Sequence, residues 1–235
     1  GALTTQRAFR IQAPTYGFVG ASTITTAATL SISGPPLAGT NATITNSYTL
    51  NIESGNINLP DSTSTDGVIY FNNIRTFHLV GSESIYIGEL AGLLTNTGIW
   101  NTVIGYRAGA AITTGVGNTI VGRRAGIVLS EGISNVLVGS QAGEDITTGD
   151  SNICIGAGAG NSIVTSDGNV CIGDTAAFTA VLGNGNIIIG DNSASAIGFT
   201  GAFNVVIGNS SGSTALTGQK NIIMGYQIDI PVNAN

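Results

Sequence analysis

Residues 101 to 139 read NTVIGYRAGAAITTGVGNTIVGRRAGIVLSEGISNVLVG, in which the pattern Asn, any residue, two apolar residues and Gly occurs three times. The pattern, or a close relative of it, occurs nine times between residues 85 and 225. Its glycines are 17 residues apart in seven of the eight intervals and 18 apart in the other. So strict a period predicts a solenoid, in which each coil contacts only its neighbours. The glycines that end the pattern, called strand glycines below, are Gly88, Gly105, Gly122, Gly139, Gly156, Gly173, Gly190, Gly208 and Gly225.

The composition favours an all-β protein with many turns. Charged residues make up 9% of the 235 residues, against roughly 25% in a typical soluble domain. The formal net charge is −6, with only seven Lys and Arg, so we expect no broad basic surface and no nucleic acid partner. No apolar run reaches the roughly 20 residues that a membrane helix needs, so we expect no membrane insertion.

The chain divides into three parts by its pattern. Residues 1–80 lack the 17-residue period and show the apolar and polar alternation of half-buried strands, for example at 29–33 and 48–52. They predict a β-rich shaft segment, built as a β-prism or from interleaved strands. Residues 81–228 predict a parallel β-roll of nine repeats, and residues 229–235 the start of a further segment.

Each repeat predicts a short strand that is apolar on both faces. Both residues before the strand glycine are apolar in every repeat, and successive residues of a strand face opposite sides. A thin coil has one interior, so the second apolar face needs another surface, and an identical chain is the economical source. We therefore expect a homo-oligomer wound about a common axis, and we place Ile188, two residues before its glycine, on this second face.

A second interior column is predicted seven residues after the strand glycine. Between the two columns lie small Ala-Gly pairs that allow a corner, and a further corner glycine recurs before the next repeat. Each coil is thus expected to be a strand, a corner, a second strand and a second corner. The members of the second column are Ile112, Leu129, Ile146, Ile163, Ala180 and Ile197.

The segment NTVIGYRAG, residues 101–109, followed by Thr-Thr-Gly at 113–115, resembles the head repeats of trimeric autotransporter adhesins and the related repeats of bacteriophage tail fibres. The stretch from Ser22 to Asn58 is similar to shaft segments of fibrous virion and bacterial surface proteins. This resemblance implies a homotrimeric, left-handed parallel β-roll that projects from a cell surface or a virion, and hence an extracellular location.

The asparagines that open the repeats form one column. They suggest either a row of amides that binds an anion or a sugar, or a ladder of stacked amides that hydrogen-bond along the axis and satisfy the corner backbone; we favour the ladder. The column consists of Asn101, Asn118, Asn135, Asn152, Asn169, Asn186, Asn204 and Asn221.

Cationic and aromatic residues fall on adjacent coils near the start of the array. Glu89, Tyr106 and Arg123 share one column, and Arg107 and Arg124 share the next. They form either a surface ion cluster of little energetic value or a site for an acidic glycan or lipid head group, repeated by the oligomer. Trp100 could supply the stacking face of such a site.

The sequence favours a structural, adhesive fibre that attaches to a cell surface or host receptor through glycan, without catalysis, metal or cofactor. The alternatives are a tailspike-type polysaccharide hydrolase, for which Asp174 and Asp191 are stacked carboxylates, and an ice-binding solenoid with a threonine column. His78 is the only histidine, and Cys154 and Cys171 are expected to be free, buried thiols. These residues do not form a pattern typical of a catalytic triad or a zinc site.

Overall fold

The computed structural model describes residues 68–71, 74–79, 83–196, 198–214 and 217–229. The shaft predicted before residue 68 and the segment predicted after residue 229 lie outside these ranges. Every regular element among the described residues is a β-strand, and none of them belongs to a helix that could cross a membrane. The strands are β1 (Ile69–Phe71), β2 (Ile74–His78), β3 (Ile85–Ile87), β4 (Thr102–Ile104), β5 (Thr119–Val121), β6 (Val136–Val138), β7 (Ile153–Ile155), β8 (Val170–Ile172), β9 (Ile187–Ile189), β10 (Val205–Ile207) and β11 (Ile222–Met224).

Strands β3 to β11 stack in sequence order as one parallel ladder. Equivalent residues of successive repeats pair directly, as Val103 does with Ile120. The array makes about eight turns, which confirms an all-β solenoid with coils of about 17 residues.

The single 18-residue coil keeps the strand register, because Val205 still pairs with Ile187. In the 18-residue coil, the Nδ2 of Asn186 donates to the carbonyl of Gly201, fifteen residues later in the chain. In a 17-residue coil the corresponding separation is fourteen residues, as between Asn152 and Ser166. The hydroxyl of Thr179 donates to the carbonyl of Ser195, sixteen residues later. This is the same separation as between Ser162 and Phe178, which are bonded in the same way one coil earlier. The extra residue is therefore absorbed between Ser195 and Gly201, away from the strand.

The interior is filled by two columns. The middle residue of each of β3 to β11 is buried. In the column seven residues after the strand glycine, Ile112, Leu129, Ile146, Ile163 and Ala180 are buried, while Thr95 in the first coil is exposed. Ile188 is 0% exposed, so its predicted place on the second apolar face is wrong; Ile187 and Ile189 face outward instead. The prediction of a second strand in each coil is also wrong for the described residues, because that part of the coil is built from turns.

The turn at each strand glycine brings the backbones of adjacent coils very close together. At Gly156 the φ angle is +132°, and an added Cβ would lie 2.2 Å from the carbonyl oxygen of Gly173. No side chain fits there, which explains why glycine ends every repeat. The backbone is also left-handed at two other positions in the corners of the coil. These positions accept residues other than glycine, such as Arg124 (φ 59°) and Ser134 (φ 58°).

A hairpin covers one end of the ladder. Strands β1 and β2 pair antiparallel, and β2 pairs antiparallel with β3, which protects an otherwise unpaired edge. His78 of β2 stacks on Tyr86 of β3 with ring centroids 4.9 Å apart. Burial, together with the charge of Arg75, lowers the pKa of His78 to about 4, so this imidazole is neutral at physiological pH.

Candidate functional site

The asparagine column forms a continuous hydrogen-bonded ladder. The Oδ1 of Asn118 accepts from the backbone amide of Asn135 at 2.9 Å and from its Nδ2 at 3.1 Å. The same Nδ2 donates to the carbonyl of Gly149 at 2.8 Å. An interior asparagine of this kind uses both amide hydrogens and both acceptor positions within the protein, so the side chain has nothing left to offer an anion or a sugar.

The outward face of the strand ladder is almost entirely aliphatic. The first and third residues of β3 to β11 lie on it, and sixteen of these eighteen residues are Val, Ile or Met. They are half-buried or exposed: Ile155 is 38% exposed and Ile187 39%. The exceptions are Thr102 and Thr119, on adjacent coils. Monomeric proteins rarely leave so large an apolar surface uncovered, so this surface, the aliphatic face, is the principal candidate for an interaction site.

Trp100 and Tyr106 border the aliphatic face at opposite ends of the same strand, β4. Both are exposed, Trp100 by 59% and Tyr106 by 42%. The Nε1 of Trp100 donates to a carboxylate oxygen of Glu83, one coil earlier in the same column. This bond orients the indole and leaves most of its surface open to solvent.

Arg124 is not available to a ligand in the way that the sequence suggested. Its Nε donates to the carboxylate of Glu144 at 2.8 Å, and a second nitrogen forms an ion pair with the same oxygen. Glu144 also accepts from Gln141 at 2.6 Å and from Asn161 at 3.1 Å. Burial of this carboxyl raises its pKa, but the hydrogen bonds from Arg124, Gln141 and Asn161 outweigh burial and hold the pKa below its usual value.

Arg107 and Arg123 remain as the free cations of the cluster. Neither side chain makes a hydrogen bond or an ion pair with another residue in the described part of the chain. Arg123 is exposed and lies one coil after Tyr106 in the same column, while Arg107 is half-buried. The structure thus reduces the predicted three-arginine patch to two free guanidinium groups on the side of Tyr106, with Trp100 at the opposite end of β4.

A cavity of about 300 Å³ lies where the hairpin meets the first coil. Arg75 is fixed at its edge by hydrogen bonds to the carbonyls of Ala91 (3.1 Å) and Gly92 (2.7 Å). Glu89 belongs both to the cavity and to the column that continues with Tyr106 and Arg123. The lining residues are Tyr70, Ile74, Arg75, Glu89, Leu90 and Leu94.

Sequence reasoning missed Glu144 and Glu83, the two carboxylates that hold predicted site residues. Glu144 follows Arg124 by 20 residues, which is one coil plus three positions, and Glu83 precedes Trp100 by one coil of 17 residues. A search for opposite charges at one period plus or minus three residues would have found the first pair. Sequence reasoning also missed a second side-chain ladder. In it, the carboxylates of Asp150 and Asp167 accept hydrogen bonds from backbone amides one coil earlier, at 2.7 and 2.8 Å.

Comparison of the chain with protein-family models, curated proteins and solved structures finds no match. The aliphatic face and the residues that border it are therefore the features that indicate a function.

Proposed function

We propose that the protein is a segment of a structural and adhesive surface fibre. In this proposal three copies pack their aliphatic faces around a common axis, and the resulting extracellular rod projects from a cell surface or a virion and attaches to glycan without catalysis. The single observation that carries the proposal is the aliphatic face, which the coil itself does not cover.

The energetics favour such an assembly. Covering a half-exposed Val, Ile or Met side chain stabilises by about 1 kcal/mol, so the sixteen such residues of the aliphatic face contribute on the order of 15 kcal/mol per protomer. Association costs about 4 to 15 kcal/mol in lost motion. Because every coil adds to the interface, assembly and folding are expected to be coupled.

The trimer supplies what a fibre needs. Among the described residues, stacking along the axis leaves the ladder of β3 to β11 with unpaired edges only at its two ends, and the hairpin of β1 and β2 covers the edge at β3. Three copies of an exposed aromatic and cationic cluster would give avidity to contacts that are weak one at a time.

The native mass, measured by light scattering, tests the assembly. We expect about 71 kDa, three times the chain mass of 23.6 kDa, and we expect the species to resist mild denaturant until its β-structure melts. A folded species of 23.6 kDa would overturn the proposal. Binding to immobilised charged and uncharged oligosaccharides tests adhesion separately.

A further inference from the structure

Two exposed columns border the aliphatic face, one at each end of the strands. The leading edge lies five residues before the strand glycines, and the trailing edge lies directly after them; every member is exposed or half-exposed. The leading edge is Glu83, Trp100, Gly117, Ser134, Ser151, Gly168, Gly185, Phe203 and Lys220. The trailing edge is Glu89, Tyr106, Arg123, Ser140, Ala157, Asp174, Asp191, Asn209 and Tyr226.

Symmetry decides which edges meet in the proposed assembly. Strands β3 to β11 run across the solenoid axis, all in the same direction. When copies surround an axis parallel to the solenoid, their strands follow one another head to tail around it, so the trailing edge of one protomer meets the leading edge of the next. Rotation about this axis moves nothing along it, so each coil meets the same coil of its neighbour.

In three coils the side chains of the two edges complement each other at this junction, whereas in the first coil two carboxylates, Glu83 and Glu89, would meet. The three coils with glycine on the leading edge are those with Arg123, Asp174 and Asp191 on the trailing edge. At Gly168 an added Cβ would have no neighbour within 4 Å, and at Gly117 its nearest neighbour would be 3.7 Å away. The left-handed backbone does not require glycine either, since Ser151 has the same conformation (φ 57°). At Gly185 an added Cβ would lie 2.7 Å from the ring of Phe203, so packing within the chain explains that glycine. At Gly117 and Gly168 the left-handed backbone favours glycine by only about 1 kcal/mol, and each glycine also leaves room for a neighbour's charged side chain.

One coil carries an aromatic residue on both edges. In the coil of β4 the junction brings Tyr106 of one protomer next to Trp100 of the following protomer, and in the next coil Arg123 faces Gly117. Arg107 directly follows Tyr106 in the chain and therefore lies on the same, trailing side of the junction. The two polar interruptions of the aliphatic face, Thr102 and Thr119, lie in these same two coils.

We propose that this junction is a composite binding site for a sugar that carries a carboxylate or a sulfate, with the tyrosine and the arginines supplied by one protomer and the tryptophan by the next. Aromatic rings offer broad apolar contact at little entropic cost, and a free guanidinium binds an oxyanion with two parallel hydrogen bonds. Glu83, bonded to the indole, fixes the aromatic wall. This inference rests on the proposed assembly.

Mixed oligomers test the shared site. Trp100→Ala and Arg123→Ala chains carrying different affinity tags are co-expressed, and oligomers that contain both are isolated by tandem purification. Binding of fluorescent sialyllactose and sulfolactose is measured, with uncharged lactose as the control. Each parent homotrimer should bind at least about tenfold more weakly than wild type, because it lacks a charged or aromatic partner at every junction. A mixed trimer has one junction with both native side chains, so it should recover about one third of the wild-type number of sites.

The outcomes separate the possible failures. Mixed trimers without binding, while the wild type binds, would place the site within one protomer and overturn the inference. A wild-type trimer that binds neither charged sugar would overturn the ligand class and leave the assembly standing. A folded monomer would overturn both proposals.

The register of the junction is tested with paired cysteines. Ser134→Cys combined with Ser140→Cys places thiols on the two edges of the same coil, and a short bis-maleimide should then link neighbouring protomers. The matched control, Ser134→Cys combined with Ala157→Cys, places them one coil apart and should link far less. Equal linking of the two pairs would overturn the head-to-tail register.

Discussion

The Oδ1 of Asn135 accepts hydrogen bonds from both the backbone amide and the side-chain amide of Asn152, at 2.9 and 3.2 Å. This two-fold contact repeats along the whole asparagine column. It joins each coil to the next by side-chain bonds, in addition to the backbone ladder of the strands.

We expect Asn135→Ala to lower the free energy of unfolding by on the order of 3 to 5 kcal/mol, because it removes both bonds from Asn152 and leaves the carbonyl of Gly149 without its donor. Asn221→Ala is the matched control. The Asn221 side chain is partly exposed and, within the described part of the chain, donates to Asn204 alone, so its loss should cost about 1 kcal/mol. Urea midpoints of the two variants measure the difference, and equal midpoints would contradict a structural role for the ladder.

Gly156→Ala should destabilise the array severely, by about 3 kcal/mol or more, since its Cβ would lie 2.2 Å from the carbonyl oxygen of Gly173. Gly168→Ala is the comparison at a corner with open space. It has φ of +66° and no atom within 4 Å of the added carbon, so only the cost of a left-handed alanine, about 1 kcal/mol, should appear. Thermal and urea unfolding give both values. A larger loss for the second variant would argue against the close approach of the coils.

Ile189→Asp should yield a folded monomer, because the new carboxylate lies on the aliphatic face and would be buried only in the assembly. Ile188→Asp, one residue earlier, should instead disrupt the coil by about 4 kcal/mol or more, since that side chain is 0% exposed in the single chain. Circular dichroism reports the fold and light scattering the mass. Thr148→Asp, at an exposed corner, is the control that should change neither. If Ile189→Asp assembled normally, the aliphatic face would not be the interface.

Glu144 should make stability fall in acid. Because its folded pKa is lower than its unfolded value of 4.5, the carboxylate stabilises the fold above about pH 4.5, and this contribution is lost as the pH falls through the folded pKa. The difference in unfolding free energy between wild type and Glu144→Gln should therefore be constant near neutrality and shrink in acid.

Asp145 supplies a control of opposite sign for the same experiment. Burial and the neighbouring charge of Glu144 raise its pKa, so ionisation of Asp145 opposes folding and the wild type loses this penalty as the pH falls. The difference between wild type and Asp145→Asn should change with pH in the other direction. Urea titrations at a series of pH values measure both, and parallel curves would contradict the role of the Arg124 and Glu144 pair.

Much of the fold follows from the repeat itself. The period of 17 sets the coil length, the apolar pair before each glycine predicts the strand, and the asparagines, 17 residues apart in all intervals but one of 18, fall into one column. The glycine and the apolar pair occur in nine repeats and the asparagine in eight, so a single sequence contains many copies of the same information. The hydrogen bonds of Arg124 with Glu144 and of Trp100 with Glu83 occur once each, and no repetition in the sequence reveals them.

The sequence by itself determined that this protein is an all-β solenoid with about 17 residues per coil, because stacking equivalent residues is the only way for so short a repeat to bury its apolar positions. Only the tertiary structure decided which apolar residue of each strand turns inward. Ile188 and Ile189 are chemically identical, and alternation along a strand states that they face opposite sides without stating which side is the core. The direction of the corner that follows the strand decides this, and it buries Ile188 and leaves Ile189 on the aliphatic face.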